Sequence, residues 1–73
     1  MNENVKQLIS FFGGQTPAGD ALGVSQGTVS GWLRNTHGMD AVNALKAEKI
    51  SGGALVAVEL CPRLKQLDEV KAA

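Results

Sequence analysis

The residues best suited to chemistry in this chain are polar side chains spaced one helical turn apart near its middle. Gln26, Ser30 and Arg34 recur every four residues, with glycines beside them at 27 and 31. On a helix these positions share one face, where an amide, a hydroxyl and a guanidinium can exchange hydrogen bonds with a partner. No nucleophile is paired with a base here, so this face suits noncovalent recognition and not catalysis.

The residue types that usually carry catalysis or bind metals are isolated in this sequence. Cys61 is the single cysteine, and we expect a small buried apolar side chain there because no His/Asp arrangement accompanies it. His37 is the single histidine, with no cysteine nearby to complete a metal site, and we expect it to be solvated or to contact a phosphate. We therefore expect no enzyme activity, cofactor, metal or small-molecule ligand.

Length and composition predict one small globular domain over residues 1–73, with a tail that frays from about residue 66. The apolar fraction is 44%, which is typical of a folded domain. A domain of this size buries only about 60% of the surface of its unfolded chain, so its stability alone is marginal. We therefore expect a homodimer.

The charges balance, with seven Lys and Arg residues against seven Asp and Glu residues. A neutral surface predicts weak binding to a polyanion by each protomer, through amide, hydroxyl and backbone donors more than through cations. The longest apolar run, residues 54–58, is too short to cross a bilayer. The lone cysteine and the absence of a signal-peptide pattern predict a cytoplasmic protein.

Two helices are predicted to precede the polar face. The first, over residues 3–12, is marked by an apolar stripe with helical spacing, which consists of Val5, Leu8, Ile9 and Phe12. Gly13-Gly14 ends this helix. The second helix, over residues 15–22, is expected to turn inward a face made of Ala18, Ala21 and Leu22.

A third helix, predicted over residues 26–34, carries the polar face. Gly23 stands where a left-handed backbone commonly ends a helix, and Ser25 is a good N-cap for the next one. An advance of about 100° per residue divides the third helix into two arcs. The inner arc is mostly apolar and holds Thr28, Val29, Trp32 and Leu33. The outer arc is small and polar and holds Gln26, Gly27, Ser30, Gly31 and Arg34.

The C-terminal half is predicted to add two short elements. Asp40 as N-cap, with Met39 as a hydrophobic staple, begins a fourth helix over about residues 41–50, where Val42, Leu45 and Ile50 recur. Residues 54–60 have strand propensity, but they equally suit a short buried helix that ends at Pro62. We expect an all-α fold of five short helices, with an α+β fold containing a C-terminal strand as the alternative.

The second and third predicted helices, joined by a glycine turn, have the form of a helix-turn-helix. In such a unit the second helix is built to lie in the major groove of DNA. This pattern makes double-stranded DNA the expected partner.

Three segments of the chain carry a recognisable pattern, namely Phe12-Gly13-Gly14-Gln15, then Ala21-Leu22-Gly23-Val24-Ser25 with Val29-Ser30-Gly31-Trp32, and finally Ser51-Gly52-Gly53-Ala54-Leu55 with Glu59-Leu60-Cys61-Pro62. They resemble the small phage and prophage regulators of the Cro type, including the YdaS-like helix-turn-helix proteins. The resemblance spans about residues 5–64, and its middle segment is the specific one. It implies a Cro-type transcriptional repressor, in the cytoplasm of a bacterium or a phage-infected host. Such a repressor binds a palindromic operator as a homodimer, formed in solution or only on DNA.

The outer arc supplies the base contacts in this interpretation, namely Gln26, Gly27, Ser30 and Gly31. Gln26 is the best base reader because its amide can bond both N6 and N7 of adenine. The glycines cost roughly 1 kcal/mol each relative to alanine in a helix, which close approach of DNA explains. Phosphate contacts are predicted for Gln15, Thr16, Ser25, Arg34 and Thr36. The predicted dimer interface consists of the apolar residues Val56, Val58, Leu60 and Leu64.

A helix-turn-helix can also serve as a protein-interaction module, and the neutral outer arc leaves this second hypothesis open. The partner would then be a protein such as a toxin or a polymerase subunit. Salt-sensitive binding of duplex DNA distinguishes the two hypotheses, because only a DNA-binding face releases counterions from phosphates.

Overall fold

The computed structural model of this chain describes residues 1–64. These residues form five helices and no strand: α1 (Glu3–Phe12), α2 (Gln15–Leu22), α3 (Gln26–Leu33), α4 (Ala41–Ile50) and α5 (Ala57–Leu60). The all-α prediction is therefore confirmed. The predicted fraying from about residue 66 lies outside the described residues.

The helices belong to two compact units. One unit, Met1–Gly38, contains α1, α2 and α3, and the second begins at Met39 and contains α4 and α5. That residues 1–73 act as one domain remains a prediction. Within the described part of the chain, no helix is long and apolar enough to span a membrane.

Helix α1 begins at an asparagine cap and ends at a left-handed glycine. The side-chain oxygen of Asn2 accepts a hydrogen bond from the backbone N–H of Val5 at 3.2 Å. Gly13, at φ 90°, turns the chain out of the helix. The predicted stripe divides into the fully buried Val5 and Leu8 and the half-buried Ile9 and Phe12. This stripe packs α1 against α2 and α3.

The face of helix α2 that points inward differs from the predicted one. Ala18 and Leu22 are buried as expected, but Ala21 is exposed and Gly19 is buried instead. The prediction for Ala21 is wrong because the turn into α3 crosses α2 at Gly19. A Cβ atom at Gly19 would lie 2.6 Å from the backbone carbonyl oxygen of Val24, so only glycine permits this packing without a shift.

Helix α3 begins at the predicted cap and ends one residue earlier than predicted. The Ser25 Oγ accepts a hydrogen bond from the backbone N–H of Thr28 at 3.1 Å. Val29 and Trp32 are buried, which confirms the inner arc at those positions. Arg34 is the C-cap of this helix.

Helix α4 occupies the predicted range, and its cap is the predicted one. The Asp40 carboxylate accepts hydrogen bonds from the backbone N–H of Asn43 at 3.4 Å and from its side-chain amide at 2.7 Å. The hydrogen bond from the Asn43 side chain holds the pKa of Asp40 below its usual value, with smaller help from the charge of Lys46. Met39 is buried, in keeping with the predicted staple.

Helix α5 resolves the ambiguity over residues 54–60 in favour of a helix. Ala57, Leu60 and Cys61 are buried, and their spacing is that of a helix and not the alternation of a strand. The carboxylate of Glu48 on α4 accepts a hydrogen bond from the backbone N–H of Ala57 at 3.1 Å. This bond satisfies the first N–H of the helix and ties it to α4.

Candidate functional site

The outer face of α3 is small, polar and largely accessible. Gln26, Gly27 and Arg34 are exposed and Ser30 is half-buried. Among residues 1–64, the nearest atom to a Cβ placed at Gly27 would be the Ser25 Oγ at 3.9 Å, so no packing within this part of the chain requires glycine there. This face therefore offers a smooth surface with one amide at its start and one guanidinium at its end.

A hydrogen bond between two glutamines joins the starts of α2 and α3. Gln15 is the first residue of α2 and Gln26 is the first residue of α3. The Gln26 Nε2 donates to the Gln15 Oε1. The bond holds the exposed Gln26 amide in one orientation, which reduces the side-chain entropy that a partner must otherwise overcome. Sequence reasoning selected both glutamines but missed the bond, because it joins residues in different elements.

The other predicted phosphate contacts are also surface groups of the Met1–Gly38 unit. Thr16, Ser25 and Thr36 are exposed and Gln15 is half-buried. The Ser25 Oγ lies 2.9 Å from the Thr28 Oγ1 in addition to capping α3. The Ser25 hydroxyl therefore already has partners within the chain, and a phosphate contact there must share the hydroxyl with the cap.

Gly31 differs from the other outer positions because the imidazole of His37 covers it. Gly31 is buried, and a Cβ built there would lie 2.8 Å from both Cδ2 and Cε1 of His37. The backbone N–H of Thr36 donates to the Gly31 carbonyl at 2.9 Å, which brings the loop back onto the helix. The exposed ring of His37 thus stands where residue 31 would otherwise place its side chain. No sequence signal for this contact was available beyond the glycine itself.

The residues predicted to form a dimer interface differ in accessibility. Val58 is exposed, and Val56 and Leu64 are half-buried. Leu60 is buried within the protomer and has little surface left for a partner. The apolar residues with the greatest exposure in α4 and α5 are instead Val42, Leu45 and Ile50, all on α4.

The charges near the outer face of α3 are few. Arg34 and the acid Asp20 are both exposed in the segment from α2 to the end of α3. Among residues 1–64, no group of three or more His, Cys, Asp or Glu side chains is placed to hold a metal ion. The described surface is therefore equipped for hydrogen bonding with little electrostatic attraction.

Comparison with known proteins identifies a relative of this chain. The chain is similar to the protein named regulatory protein Cro of Pseudomonas phage D3, with 44% identity over 57 residues. The matched region covers 78% of this chain and 78% of that protein. No protein-family model and no solved structure matches the chain.

Proposed function

Because this chain belongs to the Cro family of phage regulatory proteins, we propose that it is a transcriptional repressor that binds operator DNA with α3 in the major groove. The observation that carries the proposal is the hydrogen bond between Gln15 and Gln26, which orients an amide at the exposed start of α3.

Gln26 can read adenine while it remains bonded to Gln15. One of its two amide N–H groups is donated to Gln15, which leaves the second N–H and the carbonyl oxygen. These are the donor and the acceptor that adenine N7 and N6 require in the major groove. Gln15 keeps its own amide N–H groups, which suit a phosphate oxygen. The pair of glutamines would then link a contact with a DNA base to a contact with the DNA phosphate backbone.

The remaining outer positions take supporting roles in the proposal. The bare backbone at Gly27 lets the helix approach base edges closely, and the Ser30 hydroxyl bonds to a base. Arg34 contacts phosphate by charge, as Thr16, Ser25 and Thr36 do by hydrogen bonding. At position 31 the contact surface is the His37 ring together with the glycine backbone, since the ring covers Gly31.

Two copies acting on a palindromic operator complete the proposal. Their recognition helices would enter successive major grooves about 34–36 Å apart on one face of the DNA. Balanced charge predicts that each protomer engages few phosphates, about two to four shared among the proposed phosphate-contacting side chains, and that affinity depends only shallowly on salt. Repression would follow from occupation of promoter DNA in the cytoplasm of the bacterial host.

Selection of bound sites from random DNA, followed by substitution of Gln26, tests this proposal. We expect a palindromic consensus with adenine at the position that Gln26 reads. Gln26→Ala should lower affinity for that site by about 5- to 150-fold, corresponding to 1–3 kcal/mol, with little change in non-specific binding. Gln7→Ala is the matched control, since Gln7 is an exposed glutamine on α1.

Two results would contradict the proposal in different ways. Equal loss of specific and non-specific affinity in Gln26→Ala would make Gln26 a positioning contact and not a base reader. Absence of salt-sensitive binding to any duplex at concentrations on the order of tens of micromolar would remove the repressor function altogether. That second result would favour a protein-docking role for the same face.

A further inference from the structure

The loop after α3 folds back over the helix through a defined backbone arrangement. Asn35, just past the end of α3, adopts a left-handed conformation with φ 59°. Its N–H donates to the Trp32 carbonyl at 3.2 Å. The N–H of Thr36 donates to the Gly31 carbonyl at 2.9 Å. This pair of bonds is a Schellman motif, which reverses the chain and brings the next residue, His37, back onto Gly31.

The residue that caps α1 holds the same loop from the other side. The Asn2 side-chain amide donates to the Asn35 side-chain oxygen at 3.3 Å. The Asn2 backbone N–H donates to the Leu33 carbonyl at 3.0 Å. The backbone that leads into His37 is therefore fixed both by α3 and by the start of α1. A loop ordered in this way loses little conformational entropy when a partner binds to it.

The imidazole of His37 takes the place of the side chain that residue 31 lacks. The three heavy atoms nearest to a Cβ built at Gly31 all belong to this ring, and Nε2 is the nearest of them. His37 is exposed, whereas the glycine beneath it is buried. In either protonation state an imidazole keeps at least one N–H donor. The ring therefore presents a hydrogen-bonding group at an outer position of α3 where the helix itself has no side chain.

We infer that His37 is a specificity-determining residue, whose ring reads a DNA base from the position of Gly31. The inference rests on the proposed function, in which the outer face of α3 enters the major groove. Gly31 follows Gln26 by five residues, which is about 7.5 Å along the helix axis. This distance equals about two base-pair steps of about 3.4 Å each. The ring therefore contacts a different base pair from the one that Gln26 reads.

Guanine is the base that suits this ring. Its major-groove edge carries two neighbouring acceptors, N7 and O6, and either can accept the imidazole N–H, whereas adenine presents one acceptor beside a donor. A contact of the ring with phosphate would carry no sequence information. Gly31 lies one helical turn beyond Gly27, on the face whose glycines let base edges come close. This placement favours a base contact over a phosphate contact.

Base preference in His37→Ala provides the first test. Wild type and variant are titrated against the selected operator and against duplexes with each single base pair exchanged. We expect the preference for guanine to disappear at one position, with affinity for the selected operator about two- to tenfold lower, as for one lost hydrogen bond. The adenine preference assigned to Gln26 should remain.

Thr36→Ala is the matched control, since Thr36 is the exposed neighbour to which the proposed function gives a phosphate contact. It should weaken binding to all duplexes by the same factor and keep every base preference. A uniform loss of this kind in His37→Ala would make the ring a phosphate contact, and unchanged affinity would make it a cover for the glycine. Either result would overturn the inference.

A double-mutant cycle provides the second test. The new methyl group in Gly31→Ala occupies the place of the ring and displaces it, so we expect loss of the same guanine preference. The double variant Gly31→Ala/His37→Ala should bind no more weakly than His37→Ala alone, because both changes remove one contact. Additive losses would show that the ring does not act from the position of Gly31. Failure of wild type to bind any duplex would instead count against the proposed function.

Discussion

Replacement of Gly19 by alanine tests whether α2 and α3 are held together by a close backbone approach. The new Cβ would lie 2.6 Å from the Val24 carbonyl oxygen and 3.4 Å from backbone atoms of Ser25. These neighbours belong to the turn and cannot rotate away as the end of a side chain can. The turn must therefore move away from α2 by several tenths of an ångström.

The cost of this movement can be worked from its parts. Overpacking of a tight contact costs about 1–3 kcal/mol. The shift also stretches the 2.9 Å hydrogen bond from the Val24 N–H to the Gly19 carbonyl, worth about 0.5–1.5 kcal/mol. The better helix propensity of alanine stabilises the folded protein by about 1 kcal/mol relative to glycine. The net loss is about 2 kcal/mol, which lowers the Tm of a domain of this size by roughly 8–16 °C.

Gly27→Ala is the matched control, because it makes the same chemical change in the neighbouring helix. Among residues 1–64 its Cβ would meet only the Ser25 Oγ at 3.9 Å, so the gain of about 1 kcal/mol in helix propensity is kept and the Tm should rise by roughly 4–8 °C. Thermal unfolding followed by far-ultraviolet circular dichroism measures both variants. Equal shifts of the same sign in the two variants would refute the close approach at Gly19.

Three further predictions concern recognition, the loop and pH. Gly27→Ala should bind its operator at least several-fold more weakly although it is more stable, and unchanged affinity in a gel-shift titration would exclude close approach of DNA at that position. Gly31→Ala should displace the exposed His37 ring, seen as a change in its imidazole NMR signals, while the fold survives; an unchanged ring environment would contradict the contact. Because the pKa of Asp40 is lowered in the folded state, its stabilising effect is present above about pH 4 and is lost as the pH falls through the folded value. In the variant Asp40→Asn the new asparagine should still cap α4, and the variant should lose less free energy of unfolding than the wild-type protein as the pH is lowered. Urea unfolding at several pH values measures this loss, and parallel pH profiles of the two proteins would refute the prediction.

Features that depend on neighbours along the chain were predicted well. The ranges of α2 and α4, the serine cap of α3 and the Asp40 cap of α4 all follow from residues within one turn of each other. Helix caps and left-handed glycines act on backbone groups within a few residues. The sequence patterns that mark them therefore do not depend on which elements pack around the helix. The helix-turn-helix came from the same local patterns, and so did the choice of Gln26, whose contact with a base stays a prediction.

Features that depend on contacts between distant residues were missed or incomplete. Periodicity placed Ala21 inward on α2, but the Val24 carbonyl selected Gly19 as the buried residue. Leu60 was predicted to lie at an interface, which stays a prediction; the structure shows only that Leu60 is buried in its own protomer, while Leu45 is exposed. An apolar residue suits a core and an interface equally, so its type alone cannot assign it to one of them.

The sequence by itself determined the bounds of α1, α2 and α4, the start of α3 and which face of α3 is mostly polar, because these properties arise from hydrogen bonding and side-chain spacing over a few residues. Only the tertiary structure decided that Gln15 orients Gln26, that His37 covers Gly31 and that α4 turns its larger apolar side chains outward. Each of these is a contact or an accessibility set by the packing of whole elements. No local pattern encodes them, since the same residue types at the same spacing are compatible with several such arrangements.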